Sequence, residues 1–143
     1  MTTVRAYRDG DRAAWDSFVR HCQETTFFHH IGWRDIYEQV FSHRTHYLIA
    51  ERDGQWTGVL PLVELKSALF GHALVSLPFA VYGGVAALDD DARTQLTHHA
   101  VELARGLRVQ HLETRNSVER EPSWQRQTLH VTFRKPLLPE VEA

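Results

Sequence analysis

Asp53-Gly54 separates two stretches rich in β-branched, aromatic and aliphatic residues, "THYLIAER" and "QWTGVLPLVEL". Asp-Gly favours the positive backbone angles of a type I′ turn, which joins two antiparallel strands directly. The middle of the chain is thereby committed to a hairpin, and the remaining elements must fit around a sheet. Pro61 has no amide to donate to a ladder and is expected at an edge or a bulge. "HALVSLP" adds a third strand to this meander.

On either side the hydrophobic period changes from two towards 3.6. "TVRAYR" (3–8) alternates and reads as a first strand. "DGDRAAWDSFVRHC" then places Trp15, Phe18, Val19 and Cys22 on one helical face, with Asp9 or Asp11 available as N-cap. Trp33, Ile36, Tyr37, Val40 and Phe41 predict a second amphipathic helix over 31–41. A third is expected from about Asp90 to Arg105, with Ala92, Leu96, Ala100, Leu103 and Leu107 inward and Gly106 as its stop. "VQHLETR" (109–115) and "LHVTFRK" (129–135) read as further strands. The order β-α-α-β-β-β-α-β-β predicts an α+β domain in which helices pack on a curved mixed sheet. Residues 1–138 are expected to form that domain and 139–143 a tail.

Charge and cysteine content narrow the function. The chain has 143 residues with 16 basic and 18 acidic side chains, a formal charge of -2. That balance argues against DNA or an anionic membrane surface as the main partner. Cys22 is the single cysteine, so neither an intrachain disulfide nor a thiolate zinc cluster can form. No stretch approaches the ~20 apolar residues of a membrane span, and a cytoplasmic address without membrane insertion is expected.

"PFAVYGGVAALDDD" (78–91) carries a glycine pair just before the third helix. A phosphate cradle needs free amides and an unneutralised helix N-terminus. Asp89, Asp90 and Asp91 stand at that terminus as caps and dipole partners. Each would repel a phosphate by roughly 1–4 kcal/mol at surface-like dielectric constants. The Lys and Ser/Thr of a nucleotide loop are also missing. Two readings remain. Tyr82 and the glycines could wall a ligand site, or they could form a plain strand-to-helix turn with Tyr82 on the core.

Together, "FFHHIGW", "HYLIAERDGQWTGVLPLVELKS", "LVSLPFAVYGGV" and "HLETRN" resemble the first half of FemAB-family proteins, over about residues 3–138. The nearest type is that associated with exopolysaccharide and PEP-CTERM protein-sorting systems. The resemblance implies a GNAT-like (acetyltransferase-like) domain of an aminoacyl or peptidyl transferase. It implies a small-molecule or cell-wall precursor as acceptor, and an aminoacyl-tRNA as donor through a second domain. By matching motif, Trp33, Tyr82, Gly83, Gly84, Arg115 and Asn116 would line or underlie the acceptor groove. The sequence stops near "FRKPLLPEVEA", about where such proteins pass into a basic helical stretch and a second domain. A complete catalytic apparatus is therefore not expected in these residues, and no catalytic residue is assigned. Coenzyme A binding in the GNAT fold is similar to the phosphate cradle set aside above, with backbone amides of a Q/R-x-x-G-x-G/A turn meeting the pyrophosphate at a helix start. The sequence lacks that motif, so no cofactor is expected.

The remaining candidates are less specific. His29-His30, His43-x-x-His46 and His98-His99 cluster without an HExxH motif or a cysteine partner, and no metal is expected. Cys22 on an apolar helical face reads as core. Glu113 and Arg115 share a strand face and could pair, or Arg115 could turn its fork to a carboxylate or phosphate. Trp124 beside Pro122 could mark an interface. An alternative to the transferase reading is a non-catalytic assembly module that forms a homodimer through its sheet edge.

Overall fold

Two hairpins and the bend between them organise the chain. The computed structural model describes residues 1–69, 71–117, 122–127 and 133. The elements are β1 (Thr3–Ala6), α1 (Arg12–His21), α2 (Gly32–Asp35, continued by a π turn over Ile36–Val40), β2 (Arg44–Thr45) and β3 (Leu48–Arg52). Then follow β4 (Gln55–Leu60), β5 (Leu62–Ser67), β6 (Gly71–Ser76), β7 (Ala86–Ala87), α3 (Asp90–Leu107) and β8 (His111–Glu113). The Asp53-Gly54 turn forms as expected, with φ of 53° and 76° at its two residues, and joins β3 to β4.

The α+β architecture is as the element order predicts, but the sheet is divided. One four-stranded sheet runs β1-β3-β4-β7 and the other β2-β5-β6-β8. All pairs are antiparallel except β6 with β8. The break falls at Pro61, so the continuous strand expected through "QWTGVLPLVEL" is two strands in different sheets. The Pro61 nitrogen cannot donate, and the His46 amide donates instead to the Leu62 carbonyl (2.8 Å) to carry the ribbon across the bend.

One core lies between the sheets and α1–α2, around Trp15, Ile31, Tyr37, Ile49, Val59 and Val63. Trp15 is fully buried and its indole donates to the His29 carbonyl (2.7 Å). The second core lies beneath α3, where Ala92, Leu96, Ala100 and Ala104 face Leu48, Leu60, Leu62 and Leu74. Complete burial of a leucine such as Leu96 contributes about 1.5–3 kcal/mol.

The helix ends depart from expectation in three places. The second helix widens into a π turn closed by the Phe41 amide on the Ile36 carbonyl (3.2 Å). The third runs through Gly106 to Leu107 and ends on Arg108, left-handed at φ 54°, whose amide returns to Ala104 and Arg105. Asp11 occupies the N-cap of α1 without bonding into the helix. Its carboxylate instead takes the Arg8 amide and the Arg5 guanidinium. The strand expected over 129–135 lies outside the described residues except for Phe133. Among the described residues, no helix is long and apolar enough to cross a membrane.

Candidate functional site

After β6 the chain turns sharply through Leu77 and Phe79, both left-handed non-glycine residues at φ 43° and 69°. Such positions cost on the order of 1–3 kcal/mol and persist where the surroundings hold them. Here Leu77 is fully buried, and the Tyr37 hydroxyl donates to the Pro78 carbonyl (2.5 Å). Burial pushes the Tyr37 pKa up to about 12.

The glycine pair lies against a second segment of chain. The amides of Gly83 and Gly84 both donate to the Arg115 carbonyl, each at 3.1 Å. The Val85 amide donates to Asn116 Oδ1 (3.1 Å). A methyl at Gly83 would lie 2.4 Å from Leu77 Cδ1, and one at Gly84 would lie 1.9 Å from Asn116 Oδ1. Close approach to neighbouring side chains is therefore what these two positions require.

A third segment closes on the same loop. Thr26 Oγ1 donates to the Tyr82 carbonyl (3.0 Å), and His29 Nε2 donates to the Gly84 carbonyl (2.9 Å). His29 Nδ1 accepts the Thr26 amide (3.0 Å), so the ring is neutral with its proton on Nε2. Burial holds the His29 pKa below its ordinary value. Nothing in the sequence sets His29 apart from the other histidines as the residue that makes this staple. A bond from a side chain to a backbone carbonyl 55 residues away leaves no local sequence signature.

The start of α3 is similarly committed. Asp89 caps the Ala92 amide (2.9 Å) and pairs with Arg52, and these contacts hold its carboxyl below the usual range. Arg52 also lies 3.7 Å from Asp91, whose carboxylate accepts the Thr2 hydroxyl. The Ala87 amide donates to Glu24 and the Leu88 amide to the Thr57 carbonyl. Glu24 in turn takes a forked pair of bonds from buried Arg93, both at 2.9 Å. These amides have protein acceptors and do not form an open anion cradle.

Arg115 is the charged residue of the loop cluster. Its amide donates to Ser76 Oγ (2.7 Å), its Nε to Glu113 (2.7 Å) and its Nη1 to the Ala80 carbonyl (2.8 Å). The side chain is 29% exposed, with its guanidinium fixed between Glu113 and the carbonyl of Ala80 in the 77–82 loop. Asn116 lies under the loop, with Nδ2 on Thr114 Oγ1 (3.2 Å). Five expected site residues, Tyr82, Gly83, Gly84, Arg115 and Asn116, are thus brought together. Trp33 stands apart, its ring edge-on or tilted against Phe27, Phe28 and Tyr37, and it packs on the core cluster that holds Tyr37, Leu77 and Ala80.

The histidine clusters do not converge. His29 bonds to backbone, His30 lies 3.4 Å from Asp16, and His43 stacks on Phe41. His46 and His72 both direct Nε2 at Glu64, at 2.8 and 2.7 Å. Burial alone would raise the Glu64 pKa, but those two bonds hold it below the ordinary carboxylate value. Among the described residues, no group of three such side chains is arranged to hold a metal. Cys22 is 5% exposed, and burial pushes its thiol pKa up, away from nucleophilic character.

No family profile and no curated protein matches the chain. Solved structures do. A GNAT family acetyltransferase from Staphylococcus aureus superposes with a TM-score of 0.55 at 8% identity, over 89% of this chain and 98% of that one. The chain has the GNAT fold. A predicted acetyltransferase from Clostridium acetobutylicum, solved with acetyl-CoA, gives a TM-score of 0.52 at 10% identity over 90% and 97% of the two chains. A transcriptional regulator from Bacillus halodurans gives 0.53 at 12% identity, over 92% and 100%. At such identities the likeness extends to the GNAT fold alone, and the site must be judged on its own residues.

Proposed function

We propose that this chain is the acceptor-side domain of a FemAB-like aminoacyl or peptidyl transferase in cell-envelope or exopolysaccharide biogenesis. In the full reaction an acceptor amine nitrogen attacks the carbonyl carbon of an activated acyl ester. The C–N bond forms, the ester C–O bond breaks with its oxygen leaving on the donor, and the amine gives up a proton. The aminoacyl-tRNA donor and the proton acceptor belong to a partner domain in this reading. The residues Tyr82, Gly83, Gly84, Arg115 and Asn116 shape the acceptor surface, and Trp33 buttresses it from behind.

The observation that carries this reading is the placement of Arg115. Its guanidinium is held by Glu113 and the Ala80 carbonyl at the rim of the loop, and a planar fork so placed suits a carboxylate or phosphate. The amides of Gly83, Gly84 and Val85 are meanwhile committed to the 115–116 segment. Recognition would therefore come from side chains.

The test uses a cell-wall precursor fragment bearing a free amine and a carboxylate, titrated into isotopically labelled protein. Saturable shifts centred on Tyr82 and Arg115 are expected. Arg115→Gln should weaken binding about tenfold or more, the loss of a charge-assisted pair, while the glycine amides keep their positions. Absence of binding, or binding that Arg115→Gln leaves unchanged, would overturn the proposal.

A further inference from the structure

Where the chain passes from one sheet to the other it leaves a gap. Thr45 still pairs with Val63 in the second sheet, Leu48 already pairs with Ala6 in the first, and His46 and Tyr47 lie between the two ladders. Beside this bend is a cleft of about 170 Å³, bounded also by the end of β1, by Arg34 of α2 and by one side of α3. Its lining shares no residue with the Tyr82–Val85 loop or with Arg115. Tyr7, Leu48 and Leu103 give it apolar walls. Such a volume suits a single six-membered ring, since an apolar cavity of ~150 Å³ accepts benzene.

The polar groups of the cleft are of one kind. Tyr47 is 2% exposed, and its hydroxyl has no hydrogen-bond partner, although buried polar atoms are nearly all paired. The hydroxyl lies within the field of Arg34. The Arg34 guanidinium sits 4.9 Å from the centre of the Tyr7 ring, a cation–π contact that holds it in place. Of its five N–H donors, Nη2 lies 3.1 Å from Glu38, while Asp9 at 3.7 Å from Nη1 is beyond hydrogen-bond range. Donors remain for another acceptor. Among the described residues no carboxylate lines the cleft. Glu38 and Glu64, which hold Arg34 and His46 (2.8 Å), both stand outside it.

We propose that this cleft binds a small aromatic carboxylate. The ring lies between Tyr7, Leu48 and Leu103, and the carboxylate accepts from Arg34 and from the Tyr47 hydroxyl. A planar guanidinium and a carboxylate match edge to edge, and the ligand oxygen gives the buried phenol the partner it lacks. An amine or a metal cation is disfavoured, because the ionisable groups of the lining other than the phenols are Arg34, His46 and His99. Inorganic phosphate would satisfy the donors but leave the apolar walls uncovered. A concave, mostly apolar site with a few convergent polar groups is the usual form of a small-molecule site.

Titration of benzoate into the intact, isotopically labelled chain, followed by NMR, tests this. We expect saturable shifts centred on Tyr7, Arg34, Tyr47 and Leu103, with a Kd of about 1 mM or tighter for so small a ligand. Tyr47→Phe should weaken benzoate about tenfold and yet leave the empty protein at least as stable in urea, because it removes a hydroxyl that has no partner. Arg34→Gln should weaken benzoate by about as much. Arg20→Gln, at an exposed arginine of α1, should leave it unchanged. Benzyl alcohol keeps the ring without the charge and inorganic phosphate the charge without the ring, so each should bind about tenfold more weakly or worse. Benzoate that gives no saturable shifts, or shifts centred on Tyr82 and Arg115 instead, would overturn the proposal. Binding that neither substitution weakens, or that phosphate or benzyl alcohol equals, would overturn it too. An empty Tyr47→Phe protein that is less stable than the wild type would show that the hydroxyl serves the fold, and would count against the proposal equally.

Discussion

The neutral imidazole of His29, 2% exposed, donates to the carbonyl of Gly84 and accepts the amide of Thr26. One side chain thereby ties the segment before α2 to the glycine pair before α3. Protonation would place a second N–H against the Thr26 amide, so the bonded arrangement and the charged ring are incompatible. Burial lowers the folded pKa below the ordinary 6.5. The stabilisation is complete above that ordinary value and is lost as pH falls from there through the lowered folded value, because the unfolded chain takes up the proton first. Urea unfolding measured from pH 8 to pH 5 should show this acid loss. His29→Gln, which can still donate to Gly84, should flatten that limb.

The Gly84–Asn116 contact predicts a steric cost with a specific remedy. Gly84→Ala places a methyl 1.9 Å from Asn116 Oδ1 and should destabilise by about 1–3 kcal/mol. Adding Asn116→Ala removes the closest contacts, leaving the Asn116 Cα at 3.0 Å, and takes the partner from the Val85 amide and from Thr114 Oγ1. The double variant should therefore recover part of the loss, visible as a non-additive urea midpoint.

The Glu24–Arg93 pair should respond asymmetrically. Arg93 is 9% exposed, and Glu24 is its forked partner while also accepting the Ala87 amide. Glu24→Ala leaves a buried cation with only Asp90 at 3.5 Å, and should cost about 3 kcal/mol or more. Arg93→Met leaves a carboxylate that is 29% exposed and can be hydrated, so its melting temperature should fall less.

Asp89 should behave as a cap. Asp89→Ala removes the acceptor of the Ala92 amide and should cost about 1 kcal/mol. Asp89→Asn keeps an acceptor and should cost less. Chemical denaturation at low and high salt separates this cap from the Arg52 ion pair, because only the latter is screened.

Much of the fold was legible because it rests on local chemistry. Asp53-Gly54 named its own turn, Asp89 named the start of α3, and the spacing of Ala92, Leu96 and Ala100 named its buried face. The division into two sheets was not legible, although Pro61 marked the place, because a missing donor does not say which way the chain bends. Gly106 looked like a stop, yet a helix packed along its inner face continues through a glycine and ends where Arg108 can adopt the left-handed turn. The candidate site was partly legible. Tyr82-Gly83-Gly84 and Arg115-Asn116 announced themselves by residue type, whereas their mutual hydrogen bonds, and the part of His29, depend on contacts between distant segments.

The central claim is that the amides around the glycine pair and the start of α3 are committed within the protein, leaving recognition to side chains such as Arg115. Amide shifts recorded by NMR during an acetyl-CoA titration test this most directly. The account predicts no saturable movement of the Gly83, Gly84, Val85, Ala87 and Ala92 amides. Saturable shifts of those amides, with a diphosphate seated against them, would contradict it.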